Sequence, residues 1–137
     1  MKKIILIVAC VAMALVFSLP SYAVEPEIRI TNAYTCNDMN EPCTEFQAWE
    51  TVYYNIEFSV YGNPDRLYKV VGMTHAFGVR TEEIQKLYPG DYTIVFGRIF
   101  GDDVDPGTYV GTHKLKLKKR RNLLDVATTV TEVSVVE

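Results

Sequence analysis

Apolar and polar residues alternate along most of the chain, which is the period-two pattern of half-buried β-strands. The pattern is clearest over residues 51–61, where one face carries the apolar set Val52, Tyr54, Ile56, Phe58 and Val60. The opposite face carries Tyr53, Asn55, Glu57, Ser59 and Tyr61. We expect the first face to point into the core, because the second face holds a charge and an amide.

The same reasoning predicts further strands, separated by turn signals such as Gly62-Asn63-Pro64-Asp65. The predicted strands cover residues 27–34, 51–61, 67–77, 92–100, 108–117 and 125–136. Residues 81–88 are expected to form a short helical crossing, because Thr81 suits a helix N-cap and acidic residues fill the first turn. Six to seven strands with one such crossing predict an all-β fold, an antiparallel β-sandwich.

The first residues have the pattern of a cleavable secretory signal peptide. Two lysines precede the apolar run 4–17, and Ser21-Tyr22-Ala23 then places small residues at a cleavage site. A membrane anchor would need a run of about 20 apolar residues, and lipidation at Cys10 would cut inside the apolar run. We therefore expect a signal peptide over residues 1–23 and one domain over residues 24–137. That domain would lie in the periplasm or outside the cell, with no membrane span.

Cys36 and Cys43 would be the two cysteines left after cleavage. An even pair in an oxidising compartment predicts a disulfide, here closing a short polar loop. A bridge over so short a loop would stabilise the fold by about 2 kcal/mol. A redox pair usually has the spacing Cys-x-x-Cys, and a zinc site would need two more ligands, so both of these readings are weaker.

The segment Asp105-Pro106-Gly107-Thr108-Tyr109 has the form Asp-x-Gly-x-Tyr and enters a predicted strand near the end of the chain. It resembles the tyrosine corner of immunoglobulin-like domains, in which the tyrosine hydroxyl bonds back to the preceding backbone. The resemblance implies structural roles for Asp105, Gly107 and Tyr109, and an immunoglobulin-like or fibronectin-like sandwich of the kind found in bacterial exported proteins. Two features depart from antibody domains: Gly111 stands where they have a cysteine, and Trp49 precedes the second predicted strand.

Basic residues concentrate near the predicted last hairpin, at Lys114, Lys116, Lys118, Lys119, Arg120 and Arg121. On a strand, alternate lysines would share one face while Leu115 and Leu117 point inward. Such a positive segment fits an anionic envelope polymer or an acidic protein partner. The alternative is an edge strand that lysines protect from aggregation. Nucleic acid is not expected, because the signal peptide predicts export and the formal net charge is −3.

Aromatic residues supply a second candidate surface. Tyr53 and Tyr61 share the polar face of the second predicted strand, and Trp49 lies just before it. An outward aromatic strip can stack sugars or anchor a partner. The alternative is that these rings are covered or lie singly on the sheet.

The acidic turns and the histidines give weaker signals. Asp102, Asp103 and Asp105, with Asp38 and Glu41, resemble calcium ligands in type, but their spacing does not match a calcium loop. His75 and His113 have no neighbouring nucleophile or carboxylate in a catalytic arrangement. We therefore expect no enzyme, metal or cofactor.

Together these features predict a non-enzymatic interaction or accessory module of the cell envelope. Its partner would be an envelope protein or a glycopolymer. The alternative is a carbohydrate- or anionic-glycopolymer-binding protein that uses the same aromatic and basic residues.

Overall fold

The computed structural model describes residues 24–99 and 104–137, and these form eight strands and no helix. The strands are β1 Glu27–Cys36, β2 Glu45–Gln47, β3 Thr51–Tyr61, β4 Tyr68–Ala76, β5 Val79–Leu87, β6 Gly90–Ile99, β7 Gly107–Lys119 and β8 Asn122–Val136. They build a three-stranded sheet in the order β1-β3-β6 and a five-stranded sheet in the order β2-β8-β7-β4-β5. Every pairing is antiparallel except that of β2 with β8. Within the described ranges, no helix is long and apolar enough to cross a membrane.

One hydrophobic core joins the inner faces of the two sheets. In β3 the predicted inner face is buried from Val52 to Val60, and it meets Val70, Leu115 and Val133 of the larger sheet. The sheets approach closely at Gly72 of β4, where a Cβ atom would lie 2.7 Å from Ile94 Cδ1 of β6. The alternation therefore predicts correctly which face of the central strand joins the hydrophobic core.

The expected helix over residues 81–88 is wrong, because these residues belong to β5. Phe77 and Gly78 have φ angles of 51° and 72°, the left-handed pair that forms a tight hairpin turn. This turn folds β5 back on β4 in unbroken register, from Ala76 opposite Val79 to Tyr68 opposite Leu87. Sheet pairing thus overrides the capping signal at Thr81. With β2, which the pattern also missed, the described strands exceed the six or seven expected.

The expected disulfide is also wrong, because Cys36 and Cys43 are free thiols. Cys36 lies opposite Pro42, and the Cys43 N–H donates to the carbonyl O of Thr35. Because opposed residues share a face of a ladder, Cys43 falls on the face of Thr35 and Cys36 on the other. The Cys43 thiol donates instead to the Glu45 carbonyl O, at 2.9 Å. Backbone pairing, rather than a covalent bridge, closes the loop.

Two tyrosines at strand entries make the same local contact. The Tyr109 hydroxyl donates to the Asp105 carbonyl O at 2.6 Å, and the Tyr92 hydroxyl donates to the Tyr88 carbonyl O at 2.7 Å. Both follow a Pro-Gly step whose glycine has a φ near 157–158°. Each ties the start of its strand to the preceding segment, β7 in the larger sheet and β6 in the smaller.

Candidate functional site

The lysines of β7 lie on the outer face of the five-stranded sheet. Leu115 and Leu117 are fully buried on its inner face, so Lys114, Lys116 and Lys118 point away from the core. β7 pairs with β8 on one side and β4 on the other, so it is an interior strand. The reading of these lysines as protection for an edge strand is therefore wrong.

Two further lysines, from different strands, join this face. Lys69 of β4 lies directly opposite Lys118 of β7, and on its other side opposite Lys86 of β5. Three lysines therefore lie side by side on adjacent strands, and the outer two are separated by roughly 10 Å at the usual strand spacing. We call Lys86, Lys69 and Lys118 the lysine row. Within the described ranges the ion pairs are Arg29–Glu27 and Arg80–Glu82, so no carboxylate neutralises the row.

Beyond the row, the same face combines cations with apolar and hydroxyl groups. Lys116 lies opposite Val71 and Lys114 opposite Met73. The face then dips into an open depression of about 820 Å³, whose outward-pointing lining is Met73, His75, Arg80, Thr112, Lys114, Lys116, Thr128 and Val130. At its rim the Arg80 guanidinium contacts Met73 Sδ at 2.9 Å and Glu82 at 3.4 Å. The outer face thus carries several cations separated by apolar side chains, with the Glu82 carboxylate paired to Arg80 at the rim of the depression.

The β7–β8 turn extends this charge past the end of the sheet. Arg120 and Arg121 occupy the turn and are exposed, and Arg120 has a left-handed φ of 57°. Lys119 precedes them as the last residue of β7 and lies opposite Asn122. These three cations follow Lys118 directly in the chain, but they sit at the sheet's end rather than on its face.

His113 lies beneath the depression, on the inner side of β7. It is 2% exposed, its ring nitrogens lie 2.9 Å from Thr74 Oγ1 and 2.8 Å from Thr131 Oγ1, and its ring packs on Tyr54. A neutral imidazole satisfies both hydroxyls, and burial lowers the pKa of His113 from 6.5 to about 4. His75 is exposed on the opposite face of the sheet, so the two histidines do not share a site.

The predicted aromatic surface is not a single strip. Tyr53 and Tyr61 share the outer face of β3 but lie eight residues apart, which is roughly 27 Å along a strand. Tyr53 covers Gly97, and the Tyr61 ring stacks under the Arg29 guanidinium at 5.3 Å. Trp49 is 65% exposed in the turn between β2 and β3, where it borders a separate depression.

The acidic candidates are dispersed. Asp102 and Asp103 lie outside the described residues, and the Asp105 backbone accepts the Tyr109 hydrogen bond. In the cysteine loop, Asn37 Nδ2 lies 3.5 Å from a Glu41 carboxylate oxygen. Across residues 24–99 and 104–137, no three His, Cys, Asp or Glu side chains are placed to hold a metal ion.

Sequence reasoning missed Lys69, Lys86 and Arg80 as parts of the cationic face. No local signal marks them, because they become neighbours of the β7 lysines through the register of β4 with β5 and β7. Lys86 had also been placed in the expected helix. If the β4–β5 hairpin had been predicted from a turn at Phe77-Gly78, its register would have placed Lys86 opposite Lys69.

Comparison with known proteins adds little to this geometry. No family model and no curated protein matches the chain. One similar solved structure is that of a "putative beta-galactosidase from Bacteroides fragilis", with a TM-score of 0.49 and 9% sequence identity. The match covers 77% of this chain and 17% of that one, so the chain spans under a fifth of its length. A likeness at this level does not define the family or the activity.

Proposed function

We propose that this protein is an exported, non-enzymatic binding module of the cell envelope, and that it binds an anionic glycopolymer on the outer face of its five-stranded sheet. The recognised groups would be carboxylates or phosphates repeated along an extended chain. The lysine row carries the proposal, because it is a costly arrangement that an anion would relieve.

An immunoglobulin-like or fibronectin-like sandwich accounts for the arrangement of strands. The smaller sheet β1-β3-β6 corresponds to strands A, B and E, and β8-β7-β4-β5 to strands G, F, C and C′. The Tyr109 hydrogen bond at the entry to β7 matches the position of a tyrosine corner before strand F. Such folds serve many functions, so the argument for binding rests on the surface alone.

Like charges placed directly opposite each other across strands destabilise a sheet. The row places such pairs twice in succession, Lys86 against Lys69 and Lys69 against Lys118. A bound chain of anions would neutralise all three ammonium groups at once. The cost to the free sheet is then offset in the complex, which favours binding over a purely solubilising role.

The surface around the row suits a polymer better than a small ligand. It is an open sheet face, and its depression is shallow and bordered by Lys114, Lys116 and Arg80. Apolar side chains such as Val71 and Met73 separate the cations, which gives sugar rings a surface to contact between their charged groups. Affinity should come mainly from charge and should therefore fall with salt.

The experiment measures binding to polygalacturonate and to polyphosphate by calorimetry at low and high salt, with neutral dextran as the uncharged polymer. The test variant changes Lys69, Lys86 and Lys118 to Gln. The matched control changes Lys119, Arg120 and Arg121 to Gln, which removes the same charge from the turn. We expect the row variant to lose at least tenfold in affinity, the control to lose under threefold, and dextran not to bind.

Equal losses in the two variants would mean that net charge alone attracts the polymer, and the proposed face would be wrong. Failure of both polyanions to bind at low salt would overturn the function. Trp49 lies outside the cationic face, so its fluorescence should stay constant during binding. A large change would move the site to the β2–β3 turn and favour the aromatic reading.

A further inference from the structure

The outer edge of β8 is open over most of its length. β8 pairs with β7 from Asn122 to Val135, but with β2 only over Ser134–Val136. On the side away from β7, residues 122–133 have no strand partner within the described ranges. β1 approaches this side, but its hydrogen bond to β8 runs from the Ile28 N–H to the Asp125 carboxylate rather than to the β8 backbone.

The usual protections of a sheet edge lie only at the start of β8, where the pairing with β7 shifts register between Leu123 and Asp125. Sheet edges are commonly blocked by lysine, proline, a bulge or very short length. The opposite edge of the same sheet, β5, carries Arg80, Glu82, Glu83 and Lys86. Beyond this bulge in β8, residues 126–133 contain no Lys, Arg or Pro and one carboxylate, that of Glu132. Their outer face exposes Val126 by 39% and Val130 by 64%.

The edge already accepts one strand, since β2 extends the sheet at its far end. β2 pairs parallel to β8, and an incoming strand would form a separate ladder beside it, over the unpaired residues. An antiparallel copy of β8 centred on Thr128 would set Val126 against Val130 twice and Thr128 against itself. Threonine pairs stabilise sheets, and the valine pairs would bury exposed apolar surface. The register stays clear of β2.

We propose that the protein forms a two-fold dimer in which the β8 strands of two copies pair antiparallel about Thr128, joining the two five-stranded sheets into one. The open edge is self-complementary, so a second copy fits it without any other component. The axis runs perpendicular to the sheet, and both cationic outer faces therefore lie on the same side. The nearest lysines, Lys114 in each copy, are separated by three strand spacings, about 14 Å, where salt screens their repulsion.

The first test measures the mass of the purified protein by analytical ultracentrifugation over a range of concentrations. Val130→Lys places a charge inside the proposed junction and should weaken the dimer at least tenfold. Val110→Lys is the matched control, because Val110 is also an exposed outer-face valine, at 56%, but lies on the interior strand β7. Circular dichroism of both variants would check that they keep their strand content.

The second test is an oxidative cross-link. Opposed residues in an antiparallel pair have Cα atoms about 4.5–5.5 Å apart, within reach of a disulfide. Thr128→Cys should therefore give a covalent dimer, while Thr112→Cys, on the same face of β7, should not. A monomeric wild type at high concentration would overturn the proposal, as would a dimer that Thr128→Cys fails to cross-link. The dimer should persist in salt that abolishes polymer binding, which separates its failure from that of the proposed function.

Discussion

The buried position of His113 predicts a loss of stability in mild acid. Its folded-state pKa is about 4, against 6.5 in the unfolded chain. Between these values the unfolded chain binds a proton that the folded protein does not, so the free energy of unfolding falls as the pH falls. The stability that the neutral His113 contributes is complete above pH 6.5 and is lost progressively towards pH 4.

The size of the effect follows from the two pKa values. The pKa difference lowers the free energy of unfolding by about 3 kcal/mol once both states are protonated, and by about 2 kcal/mol at pH 5. This is a large share of the 5–15 kcal/mol that is typical of a small domain. The structural cause is the burial of the ring between Thr74 and Thr131, which removes the solvation that the charged form would have in water.

The assay is urea unfolding followed by circular dichroism at pH 8 and pH 5. His113→Gln removes the titrating group and keeps an amide that can bond to the threonine hydroxyls. His75→Gln is the matched control for an exposed histidine. Between the two pH values, wild type and His75→Gln should each lose about 2 kcal/mol more than His113→Gln. Parallel losses in all three proteins would refute the reasoning, as would an NMR titration of His113 near pH 6.5.

Two other predictions concern stability and reactivity. Tyr109→Phe deletes the hydrogen bond to the Asp105 carbonyl O and should lower the free energy of unfolding by about 1 kcal/mol. Tyr34→Phe is the control and should change it little, because the Tyr34 hydroxyl has no hydrogen bond within the described ranges. Equal unfolding curves for the two variants would contradict a stabilising role for the Tyr109 hydrogen bond. Limited alkylation followed by peptide mass analysis should modify Cys43 before Cys36, because Cys36 is 1% exposed and burial raises the pKa of its thiol; faster labelling of Cys36 would show that its site is open.

The strands that the sequence predicts best are those with strict alternation. The bounds expected for β3, residues 51–61, are those observed, because each of its side chains faces either the core or the outer surface without exception. The same reasoning does not predict β5, because its alternation is weak: Ile84 lies on the outer face and is 53% exposed. Its conformation is set by pairing with β4, which a local pattern does not contain.

The candidate site shows the same division. The outward direction of Lys114, Lys116 and Lys118 follows from one strand's alternation and could be read from the sequence. Their position in the sheet could not, because it depends on β4 pairing with β7, which is distant in sequence, as well as with its sequential neighbour β5. The cysteine loop fails for a related reason, since its spacing permits a bridge but its register turns the two side chains to opposite faces.

The proposed dimer sets the distance between the lysine rows of its two copies. Lys114 of β7 lies opposite Thr128, the residue at the proposed two-fold axis. The lysine row of each copy lies four residues further along β7, at Lys118. Because the two copies run antiparallel, their rows lie in opposite directions from the axis. With the strand spacings between them, the rows are separated by roughly 35 Å along a diagonal of the joined sheet. A polymer longer than this can engage both rows, and its second contact is then intramolecular and gains effective concentration. A shorter chain meets one row at a time, so the dimer would select for extended polymers rather than for their fragments.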